Sequence, residues 1–144
     1  MLENIELIFT DLEQMLKKLK KASYEANMEK FRGEQGHFID EMVRFVKESE
    51  DKDAASKQIG NDFAEGVKNA FSTGGKIKGR KQADMNFFMI YYVFPAILLT
   101  KEDCADTVCA GLKEAWNEKL GQNIGYTDYD SLYSTFRNKI FGIF

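Results

Sequence analysis

Apolar or small residues recur at Ile5, Ile8, Leu12, Met15, Leu19, Ala22 and Ala26, alternately three and four apart, which lines one face of an α-helix. Leu2, Phe9 and Leu16 widen that stripe, as a helix within a bundle requires; a homodimer through this N-terminal helix is the alternative use of the same seam. The acids Glu3, Glu6, Asp11 and Glu13 precede Lys17, Lys18, Lys20 and Lys21, an order that complements the helix dipole. Gly33 and Gly36 then predict a turn over 31–36. A second stripe follows at Phe38, Met42, Phe45 and Val46, and a third at Ile59, Phe63, Val67, Ala70 and Phe71. The polar stretch Glu48–Asp53 between them predicts a break, with Asp53 capping the next helix. Gly60 and Gly66 each weaken that helix by about 1 kcal/mol relative to alanine, a cost that close contact with another helix would explain.

From Ser72 the chain reads STGGKIKGRKQ, glycine-rich and basic without an acid, which predicts a flexible linker over about 72–83. Sixteen consecutive uncharged residues, Met85 to Thr100, come next and include five aromatics and the only proline. Sixteen residues of helix reach about 24 Å, and a bilayer span needs about 20 apolar residues, so the run is expected to be a buried core helix with no membrane role. Pro95 removes one helical hydrogen bond and crowds the preceding turn, so a kink or a break is expected there. Thr100 followed by Lys101, Glu102 and Asp103 reads as an N-cap and acidic first turn, leading into Cys104, Val108, Leu112, Trp116 and Leu120 at helical spacing. Gly121 can close that helix; Ile124–Asp128 predicts a turn, and Leu132, Tyr133, Phe136, Ile140 and Phe141 a last helix. The expected fold is all-α: a single-domain bundle of five or six helices over 1–144, its central apolar helix kinked or broken at Pro95.

Composition narrows the function more by exclusion than by signature. At 144 residues and 44% hydrophobic content the chain suits one domain with a real core. Net charge is −3 and the isoelectric point about 5.3, so there is no global basic field and nucleic acid is a disfavoured partner. Early acids and the absence of an unbroken apolar stretch argue against a signal peptide, and no N-x-Ser/Thr acceptor occurs. Cys104 and Cys109 lie five apart, about 140° around a helix, which disfavours a bridge between them. Reduced thiols and a cytoplasmic location follow as expectations.

The candidate chemistry is sparse. Glu34-x-x-His37 has the spacing of one di-iron helix pair, but such a site needs two pairs and further glutamates, and His37 is the only histidine. It is expected to be exposed or capping. Cys104 sits at a predicted helix start, yet Glu102, Asp103 and Asp106 oppose a thiolate, so a packed thiol is expected. The G-x-S-x-G, Walker A, HExxH and CxxC motifs are missing, and neither metal nor cofactor is expected. Lys76, Lys78, Arg80 and Lys81, on flexible glycines before a helix start, are the first candidates for contact with an acidic partner. Tyr126, Asp128 and Tyr129 mix rings with a carboxylate and form a second candidate contact surface. Tyr91, Tyr92 and Trp116 would line a pocket beside Pro95 if the bundle bound or transformed a small molecule. The sequence thus favours a non-enzymatic cytoplasmic interaction protein, with a ligand-binding or catalytic bundle as the alternative.

Overall fold

A computed structural model describes residues 24–72, 77 and 79–120. Helix α1 spans Tyr24–Lys47 and α2 spans Lys52–Phe71. A third rod is built from α3 (Gly79–Phe88), a π-helical segment (Met89–Val93) and α4 (Phe94–Leu99) laid end to end. Helix α5 spans Ala105–Leu120. The described residues therefore form four helical rods and contain no strand. The expected N-terminal and C-terminal helices lie outside them.

Helix α1 runs straight through the turn expected at 31–36. Gly33 and Gly36 are helical with open space where a side chain would be, while Met28, Phe31, Ile39, Met42, Val43 and Val46 on the inner face are buried. Burying a large apolar side chain stabilises by about 1.5–3 kcal/mol, so this face outweighs the roughly 1 kcal/mol that each glycine costs the helix. The break between the second and third stripes is present, with a different cap. Asp51, not Asp53, has extended backbone and accepts from the Ala54 amide at 3.1 Å. Arg44 and Lys47 lie in the last turn of α1, where cations suit the dipole.

Helix α3 begins at Gly79, inside the stretch read as linker. The helical backbone then runs through Pro95 without the break that is one of the two outcomes its sequence predicts. Proline lacks the N–H that an α-turn needs and its ring crowds the preceding turn. The helix widens just before it: the Phe94 N–H donates to the Met89 carbonyl, a π-type bond one residue longer than the α spacing. Pro95 then falls in the first turn of α4, where a missing donor costs little.

The rod is central. Every residue of Phe94–Leu98 is buried, and α4 packs against both α1 and α5. Thr100 closes the rod rather than opening the next helix, donating from Oγ1 to the Ile97 carbonyl at 2.6 Å. Lys101 follows with φ of 58°, the left-handed conformation that ends helices. Helices α2 and α5 have the most extensive contact, buried through Ser56, Gly60 and Ala64 on one side and Gly111 and Ala115 on the other.

Candidate functional site

A groove of about 510 Å³ lies between the last three turns of α1 and the α4–α5 loop. Helical spacing puts His37, Asp40, Arg44 and Lys47 on one edge of α1, opposite the face that buries Met42 and Val46. Thr100 and Glu102 form the other wall. Lys47 on α1 reaches across to Glu102, its Nζ 3.2 Å from Oε1 and 3.1 Å from Oε2 of that carboxylate. Both partners are partly exposed, so this pair shapes the groove more than it stabilises the fold. His37 is 84% exposed and lies 3.2 Å from Glu41, its neighbour one turn on. Among the described residues Arg44, Asp40 and Glu48 form no ion pair, leaving one basic and two acidic side chains open to a partner.

The loop wall is tied down from beneath. The Cys104 thiol points at the Val43 carbonyl, 3.7 Å away, and the Cys104 carbonyl accepts from the Val108 amide at the start of α5. Burial pushes the Cys104 thiol above its ordinary pKa; its own backbone hydrogen bond opposes the shift and the Glu102 carboxylate adds to it. That makes Cys104 a packed, protonated thiol, as expected, and a poor nucleophile. Cys109 is also buried and free.

Of the residues singled out for an acidic partner, Lys76 and Lys78 lie outside the described residues. Arg80 and Lys81 fall in the first turn of α3, and their side chains are outside the description. Tyr126, Asp128 and Tyr129 also lie outside it. The trio named for a pocket beside Pro95 is divided among different surroundings. Tyr92 is fully buried, edge-on to Phe31 at 5.9 Å, and burial raises its phenol pKa against the lowering effect of the Asn27 side chain. Trp116 is fully buried too, its indole N–H donating to Asn86 at 2.7 Å. Tyr91 is half-buried and stacked on Phe87 at 4.4 Å.

The groove escaped sequence reasoning because its second wall comes from 55 residues further along the chain. One signal was present: polar residues at 37, 40, 44 and 47, spaced three and four apart on the face opposite the apolar stripe. Among the described residues no group of three or more His, Cys, Asp or Glu is placed to hold a metal ion, and no helix is long and apolar enough to cross a membrane. Comparisons with protein families, with characterised proteins and with solved structures find no match to this chain.

Proposed function

We propose that this chain is a non-enzymatic cytoplasmic interaction protein, an adaptor, inhibitor or regulator, that presents helix faces to another protein. The observation that carries the reading is the open, charge-lined groove beside α1, set against an interior filled by Trp116, Tyr92, Phe63, Phe88 and Phe94. An open groove with Arg44 and Asp40 on one wall and Glu102 on the other suits a charged protein surface better than a small molecule, which binds best in enclosed, mostly apolar sites. The N-terminal and C-terminal segments complete a single-domain bundle of five or six helices. The basic segment Lys76, Lys78, Arg80 and Lys81 and the Tyr126, Asp128 and Tyr129 surface extend the contact, and a second copy through the N-terminal seam is the simplest partner to test.

Affinity capture from the native cell with mass-spectrometric identification tests this, run with the natural chain, an Arg44→Glu/Asp40→Lys variant, and a variant with the four basic residues replaced by serine. A protein retained by the natural chain and lost from either variant is the expected result. Recovery of a metabolite alone, or turnover of one, overturns the proposal in favour of a ligand-binding or catalytic bundle.

A further inference from the structure

We infer that the part-buried Asn86–Trp116 hydrogen bond, braced within α3 by Gln82, acts as a catch that fixes the rotational register of α3, and thereby holds the π segment in its widened form. A π turn is an α path with one extra residue inserted. If that residue were reabsorbed with α4 held fixed, α3 would rotate by about 100° and slide by about 1.5 Å. Each residue of α3 would then move into the place its predecessor now occupies.

The present register is marked by polar chemistry. Gln82 and Asn86, four residues apart, share one face, and Gln82 is only 5% exposed. Asn86 Oδ1 accepts from Trp116 Nε1 at 2.7 Å and from Gln82 Nε2 at 3.1 Å. Shifted by one, Phe87 would meet the indole N–H, Ala83 would take the place of Gln82, and Asn86 would enter the buried apolar site of Met85. The indole donor would lose its acceptor and the amide would be stranded among hydrocarbon, both of which are costly in a dry interior. Pro95 opposes the same shift from the other end, because a regular α path through it lacks a donor. The register also decides which side chains form the half-buried strip of Phe87, Ile90 and Tyr91, so the catch controls a face the protein shows to its surroundings.

The catch can be tested on the isolated chain. Pro95→Ala and the double variant Pro95→Ala/Asn86→Leu are compared with the natural chain by Trp116 emission and by amide hydrogen exchange across Met89–Phe94. Expected for Pro95→Ala alone is unchanged emission and exchange, because the catch still holds. Expected for the double variant is emission shifted by several nanometres and exchange in that segment altered at least tenfold, with α2 amides unchanged. Should the double variant fail to fold, Pro95→Ala/Trp116→Phe removes the donor while keeping an aromatic ring in the site, and exchange alone is read, with α2 amides as the control for general loosening of the core. A full change with Pro95→Ala alone, or no segment-specific change in whichever double variant folds, overturns the inference.

Discussion

Gly60 and Gly111 meet backbone to backbone. A Cβ on Gly60 would fall against the Gly111 carbonyl, and one on Gly111 would lie 2.5 Å from the Ser56 carbonyl oxygen. The glycine in α2 that looks like a liability in the sequence is thus a condition of the α2–α5 crossing. Ser56 is buried there at no polar cost, since its hydroxyl donates to the Asp53 carbonyl within its own helix at 2.8 Å.

Gly111→Ala and Gly60→Ala should each destabilise by about 1–3 kcal/mol or more, because the obstructing atoms are backbone and cannot swing aside. Urea unfolding followed by circular dichroism measures this. A midpoint equal to that of the natural chain would show that the two helices are further apart than described.

The opposite sign is expected at Gly33→Ala. That position is helical and has open space where a methyl group would sit, so the substitution should stabilise by about 0.5–1 kcal/mol through the entropy of the unfolded chain and helix propensity. Destabilisation would restore the turn that the sequence alone predicts at 31–36.

Replacing Asp51 by alanine removes the acceptor for the Ala54 amide and should cost about 0.5–2 kcal/mol, whereas Asp53→Ala should cost less. Equal losses in thermal unfolding would return the capping role to Asp53.

A double-mutant cycle on Lys47 and Glu102 should give a coupling of about 0.2–1 kcal/mol that shrinks as salt is added, as for other exposed pairs. Coupling well above that range would mean that the clamp across the groove stabilises the fold as well as shaping a surface.

Alkaline pH should weaken the fold. Burial holds the Cys104 thiol and the Tyr92 phenol above their ordinary pKa values, so the unfolded chain releases protons that the folded chain keeps. Stability from Cys104 is therefore complete below the ordinary thiol pKa of about 8.5 and is lost as pH rises through the higher folded-state value. The urea midpoint should fall above about pH 8.5, and Cys104→Ala should make that fall shallower. An identical pH slope in the variant would contradict the burial of this thiol.

The sequence and the structure agree where one helix face decides the matter. The uncharged run from Met85 becomes the innermost rod, and the break after Lys47 falls within the polar stretch that predicts it. They part where a remote neighbour decides. Gly33 and Gly36 resemble a helix end, but Phe31 and Ile39 on either side are buried and carry the helix across. Thr100 has the side chain of an N-cap; its hydroxyl turns back to Ile97 because the chain reverses through Lys101. Nothing local announces that Pro95 is met by a π turn, or that Glu102 returns to Lys47. Both arise from packing between segments far apart in the chain.

The widened turn before Pro95 bears on how this gene can change in length. Interior helices seldom survive the loss of a codon, because everything upstream is turned to a new heading. Here the spare residue is already looped into the backbone, so trimming one position from Met89–Val93, together with Pro95→Ala, is an indel that would leave Asn86 still aimed at Trp116.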